Sequence, residues 1–176
     1  IDGNNVLWNH GNEIFYGVKW KVGAKYVFNG EDGSASAEFT QVTDGENASA
    51  FSDIPLGVFP YRDNLSASYN ENTKTWTVTP EYEQYQNYVP NSFDRDANIM
   101  IATGKYKDDK NLYFRNACGY LVVKLYGTNV VVNNIVLFAN DKGNLMYGKK
   151  YDIEVNSNGE FTYKPNTIPF VEWQYT

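Results

Sequence analysis

The chain has 176 residues, a formal net charge of −6 and 42% apolar residues, with 15 Tyr, 10 Phe and 4 Trp among them. One Cys excludes a disulfide framework within the chain, and one His excludes a multi-His metal site. The acidic balance disfavours nucleic acid as a partner, while the apolar content is too rich for disorder and suffices for the core of one domain, residues 1–176.

Chain order begins at Ile1, which reads as a processed mature fragment or an excised domain. No apolar run reaches the roughly 18 residues of a membrane-spanning helix. Trp8-Asn9-His10-Gly11-Asn12 reads as a turn before a first strand. In that strand Ile14, Tyr16, Val18 and Trp20 share one parity, opposite Lys19 and Lys21. Such period-two alternation marks a strand with one buried face. Asn29-Gly30, Asp32-Gly33 and Asp44-Gly45 supply the next turns. Residues 48–61, with Pro55 and Pro60, read as a segment containing a loop that crosses between sheets. Trp76 and Val78 then alternate with Thr75, Thr77 and Thr79, which places the Trp in the core. Residues 81–98, rich in Tyr, Gln and Asn, read as a long ordered loop with one short helical turn.

Further on, Leu112 and Phe114 alternate with Tyr113 and Arg115, and Leu121, Val123 and Leu125 share a face. Cys118 heads that second run and reads as a buried thiol packing as a small hydrophobe. Residues 130–138 are apolar on both parities and read as a central strand. The clearest hairpin joins residues 150–155 to 160–164 through Asn156-Ser157-Asn158-Gly159. Residues 164–176, ending in Phe170, Val171, Trp173 and Tyr175, read as an edge strand or as a linker to a second domain. Short strands with regular turns and little helix predict an all-β fold, an antiparallel β-sandwich with long loops.

Catalytic side chains are scarce. His10 is the lone imidazole, sits in a turn and has no nucleophile elbow beside it. Glu81, Glu83, Asp94 and Asp96 are the acids available for a glycosidase-like pair, and solvated loop acids are their simpler reading. Asp94-Arg95-Asp96-Ala97-Asn98 begins like a calcium loop, but Ile99 stands where an EF-hand needs glycine and Lys105 where it needs glutamate. No metal and no cofactor are expected. Asn47-Ala48-Ser49 and Asn64-Leu65-Ser66 match the N-glycosylation pattern, which carries meaning only in a eukaryotic secretory setting. Tyr82, Tyr85 and Tyr88 form either a stacking platform for a sugar or part of a loop-packed rim. The terminal segments, with Val6 and Trp8 at one end and Phe170, Val171 and Trp173 at the other, are candidate edges for assembly or the domain's own outer strands.

Several segments taken together resemble a family. Trp8-Asn9-His10-Gly11-Asn12-Glu13-Ile14 is similar to the opening W-x-x-G-D-x-I of fimbrillin-like proteins of Bacteroidales, with Asn12 where that family often has Asp. Val58-Phe59-Pro60-Tyr61, then Ser92 through Ala102, then Leu112 through Leu121, then Val132 through Leu137 resemble its later segments in the same order. The resemblance implies the amino-terminal domain of a surface protein with transthyretin-like, Greek-key β-sandwich domains. It further implies a non-catalytic fimbrial or adhesive role, export as an outer-membrane lipoprotein anchored through an amino-terminal lipid, and a place on the bacterial cell surface. Partners would be other surface or fimbrial subunits, or a host or glycan ligand. A glycan-binding module of a polysaccharide-capture system is the alternative expectation.

Overall fold

A computed structural model describes residues 6–17, 24–42, 54–80, 87, 89–90, 92–106, 109–119, 126–132 and 151–165. In chain order its strands are β1 (Glu13–Gly17), β2 (Ala24–Phe28), β3 (Phe39–Gln41), β4 (Leu56–Phe59), β5 (Ser66–Asn70), β6 (Thr75–Thr79), β7 (Met100–Thr103), β8 (Arg115–Asn116), β9 (Tyr151–Asn156) and β10 (Phe161–Pro165). A 3₁₀ turn, Arg95–Ala97, precedes β7. The strands form two antiparallel sheets, one ordered β3-β2-β1-β4-β7-β8 and the other β10-β9-β6-β5. The molecule is an all-β sandwich with little helix among the described residues.

Register explains where the core lies. Phe15 pairs with Val58, and Val58 with Ile101, so three large side chains line up on one face of the six-stranded sheet. Trp76 pairs with Val155 and Val78 with Ile153 on the other sheet. These residues, with Leu56, form one buried cluster between the sheets. Leu56, Val78, Ile153 and Val155 are fully buried at 0% exposure, so truncating Leu56 or Ile153 to Ala costs about 2–5 kcal/mol, and the smaller Val78 or Val155 less. The Trp76 indole N–H donates to the Ile54 carbonyl at 3.0 Å, which satisfies its one polar atom inside the core.

The six-stranded sheet is buried on its second face too. Ile14, Phe59 and Met100 form a separate cluster there with Val6, Trp8, Tyr26, Phe39 and Phe114. Trp8 meets Phe39, Phe59 and Phe114 edge to face at centroid distances of 5.0, 5.4 and 5.1 Å. The segment before β8 lies flat on this face at Gly57. A Cβ there would stand 2.7 Å from Phe114 Cζ and 2.9 Å from Leu112 Cδ1.

Five expectations are corrected by this arrangement. The parity of Ile14 and Tyr16 points away from the sandwich, and Phe15 is the residue of β1 that reaches the shared core. Residues 56–59, expected near a crossing loop, are the central strand β4, because Pro55 and Pro60 stand just beyond its ends. Leu112–Phe114 alternate because one side packs on Gly57, and the strand itself is only Arg115–Asn116. Val130, Val131 and Val132 are in no strand and are exposed, rather than starting a central one. The Cys118 thiol is half-buried instead of buried.

Other elements form as anticipated. The short helical turn of the 81–98 loop is Arg95–Ala97. The last hairpin pairs Val155 with Phe161 and Ile153 with Tyr163, and Gly159 takes φ +72° in its turn. Asn156 Oδ1 closes that turn by accepting from the Asn158 and Glu160 backbone N–H groups at 2.9 and 3.1 Å. Residues 121–125 and 133–138, and the 166–176 tail, lie outside the described residues.

Candidate functional site

His10 sits in the expected turn, where Gly11 has φ +76°. Its backbone N–H donates to Asp32 Oδ1 at 2.7 Å, and its exposed ring lies 3.2 Å from the Gly30 carbonyl through Nδ1. The imidazole thus belongs to the joint between the first strand and the 30–33 turn. Asn12 helps build the same joint: it is buried, and its Oδ1 accepts from the Asn9 N–H at 2.8 Å.

Trp8 pairs with Ser34 as an isolated antiparallel bridge, with N–H to carbonyl distances of 2.8 and 3.0 Å in the two directions. Val6 and Trp8 therefore cover the outer face of their own sheet. Tyr82, Tyr85 and Tyr88, the acids Glu81 and Glu83, and Phe170, Val171 and Trp173 lie outside the described residues.

Asp94 caps the 3₁₀ turn. Its carboxylate accepts from the Asn87 N–H at 2.7 Å, the Asn87 side-chain amide at 2.9 Å and the Asp96 N–H at 3.1 Å. The Asn87 and Asp96 backbone bonds hold this carboxyl below its ordinary range, against the opposing effect of burial. An acid held ionised in this way is poorly suited to donate a proton at neutral pH.

The capped turn forms one wall of a cleft lined by Glu13, Phe59, Pro60, Tyr61, Arg62, Arg95 and Asp96, with a volume of about 120 Å³. The Tyr61 N–H donates to the Glu13 carbonyl at 3.0 Å, which fixes the Pro60–Arg62 stretch to the start of β1. Arg62 reaches across to the 3₁₀ turn: Nη2 donates to the Asp96 carbonyl at 3.1 Å, and Nη1 lies 3.8 Å from Asp96 Oδ1. Arg95 Nε lies 3.4 Å from the same Oδ1. Glu13 is bonded to Lys25 at 2.7 Å, and this bond raises the Lys25 pKa above its ordinary value. The Lys25 ammonium sits 5.1 Å from the centre of the Tyr61 ring. Burial, and then a hydrogen bond with Asp63, raise the Tyr61 phenol.

The Asp94–Asp96 stretch is visible in the sequence as the start of a calcium loop whose later positions fail, but nothing there joins it to Glu13 or Arg62. No local pattern joins positions so far apart. The antiparallel β1–β4 pairing brings them together. Among the described residues, no group of three or more His, Cys, Asp or Glu is placed to hold a metal ion.

The sheet edges are the other candidate surface. Among the described residues the outer strands are β3 and β8 in one sheet and β5 and β10 in the other. The edges β3 and β8 are three and two residues long. β10 carries Lys164, ion-paired with Glu154, and ends on Pro165; both residue types discourage a further strand. β5 is Ser66-Ala67-Ser68-Tyr69-Asn70, without charge or proline. Its Ala67 and Tyr69 pack on the core, and its Ser66, Ser68 and Asn70 are exposed. Fold and edges together define a two-sheet antiparallel module with one unguarded five-residue edge among the described residues. No known protein family, curated protein or solved structure matches the chain.

Proposed function

We propose that the chain is a non-catalytic module of a bacterial cell surface, of the fimbrial-subunit or adhesin type, and that it joins other surface subunits by accepting a strand at β5. The observation that supports assembly is the composition of that edge. Native edges are commonly blunted by Lys, Pro, bulges or brevity, and β5 has neither a charged residue nor a proline along its five residues. An added strand would gain main-chain hydrogen bonds for affinity and alternate side-chain contacts for specificity. The surface setting rests on the ordered resemblance of the Trp8–Ile14, Val58–Tyr61, Ser92–Ala102, Leu112–Leu121 and Val132–Leu137 segments to fimbrillin-like proteins. In this reading the chain is exported and held at the outer membrane through a lipid on a preceding segment.

Ser68→Lys tests the reading, because Ser68 is exposed and a Lys on the edge opposes pairing. Sedimentation of the intact chain is expected to show concentration-dependent association. The variant, with unchanged thermal stability, is expected to stay monomeric. Association of the variant equal to the wild type would overturn assignment of the edge to β5. A wild type that remains monomeric at its highest soluble concentration would overturn self-assembly.

A further inference from the structure

We propose that the loop of residues 126–132 inserts into the headgroup layer of a neutral lipid bilayer. Among the described residues, this is where exposed apolar side chains gather in sequence: Tyr126, Val130, Val131 and Val132 are 90%, 67%, 84% and 49% exposed. Elsewhere such side chains stand singly, as Val42, Tyr106 and Tyr113 do, and call for no partner. The loop stands off the sandwich, and all seven of its residues are exposed. The chain bends at Thr128 and Asn129, where Asn129 takes φ +59°. Val130 folds back on Gly127, so that a Cβ at Gly127 would lie 3.2 Å from Val130 Cγ2. Residues 130–132 then run on without turn or bend. Successive side chains of such a stretch point to opposite sides. Val130 and Val131 are both open, so neither side of the stretch lies on the body of the domain.

This geometry selects the partner. A flat protein surface or a sheet edge covers one side of a loop, whereas a headgroup layer surrounds a projecting one. Seven residues also fall short of the roughly 20–30 per side of a stable protein interface. Charge agrees with a neutral bilayer. The sequence carries no charged residue from 125 to 140, in a chain of net charge −6. An uncharged loop suits a zwitterionic surface, and the acidic remainder of the chain is repelled by an anionic one. Tyr126 has the apolar ring and polar tip that settle at a membrane interface, and the three valines supply apolar area. Thr128 and Asn129 at the bend offer donors and acceptors to headgroups, which keeps the insertion shallow. The site is separate from strand addition, since no loop residue lies in β5.

The test is co-flotation of the full chain with phosphatidylcholine vesicles and, separately, with phosphatidylglycerol vesicles at low salt. The chain is expected to float with phosphatidylcholine and to bind phosphatidylglycerol less. Val131→Asp places a charge on the loop and is expected to weaken binding to phosphatidylcholine at least about tenfold. Val131 is exposed, so the variant is expected to keep the wild-type thermal midpoint, which verifies its fold. Val131→Leu keeps the apolar area and is expected to bind at least as well as the wild type. Ser68→Lys, which alters the β5 edge alone, is expected to bind vesicles as the wild type does. Absence of flotation with phosphatidylcholine overturns the proposal, as does equal binding by Val131→Asp or binding confined to the anionic vesicles. Loss of self-association in Val131→Asp without vesicles would assign the loop to a second copy and overturn the lipid reading.

Discussion

Asp94 is the residue whose charge matters most to local order among the described acids. Its carboxylate ties Asn87 to the 3₁₀ turn and so sets one wall of the cleft. Its folded pKa lies below its unfolded value of 3.8. A depressed carboxylate contributes stability that is present above the unfolded pKa and is lost as pH falls through the folded one. Asp94→Asn keeps one acceptor and removes the charge. The variant is expected to be about 1–2 kcal/mol less stable than the wild type at pH 7, measured by urea unfolding. That gap is expected to close below pH 3.8, as the wild type itself takes up the proton. A gap that stays constant from neutral pH into strong acid would contradict the role given to the charge. Asn12 shows a related economy. Buried Asn12 serves its Asn9 contact through Oδ1, an atom that Asp would also possess.

Among the elements, the β9–β10 hairpin shows local chemistry and tertiary structure in agreement. Alternation in both arms, an Asn-rich turn and Gly159 point to the structure that forms. A Cβ at Gly159 meets only Arg115 side-chain atoms, at 3.5 Å and beyond, so the cost of Gly159→Ala is conformational. That cost is expected to be about 1–2 kcal/mol, read as a lowered thermal midpoint, because φ is +72°. A midpoint equal to the wild type would show that the turn relaxes out of the left-handed region. Trp76 and Val78 were equally legible, because β6 is buried on one face only. β1 was not, because Phe15 faces one core and Ile14 another, and alternation reports burial only where one face stays wet. β4 was hidden by its flanking prolines. Leu112 and Phe114 looked like a strand because packing flat on Gly57 produces the same alternation. The cleft escaped notice for a different reason: Glu13, Arg62 and Arg95 meet only once strands pair, and no spacing in the chain encodes that meeting.

Across the whole molecule, two apolar layers share one sheet. The sandwich core joins β1, β4 and β7 to β6 and β9, while Trp8 and the Leu112–Phe114 segment cover the far side of the six-stranded sheet. The edges of that sheet, β3 and β8, are only three and two residues long, so among the described residues the longer edge without charge or proline is β5 of the four-stranded sheet. Four of the five β5 residues pair with β6 partners on Thr or Trp positions, and its polar exposed face offers no apolar patch to cover. Main-chain pairing is then the interaction this edge has to offer a partner. Net charge of −6 opposes close approach of like copies at low ionic strength, so association is expected to strengthen as salt rises. Amide hydrogen exchange on dilute and concentrated samples of the intact chain tests strand addition most directly. The account predicts added protection confined to Ser66–Asn70 in the associated state, with β10 unchanged. Protection that appears at β10 or elsewhere while Ser66–Asn70 exchange at the same rate in both samples would contradict it.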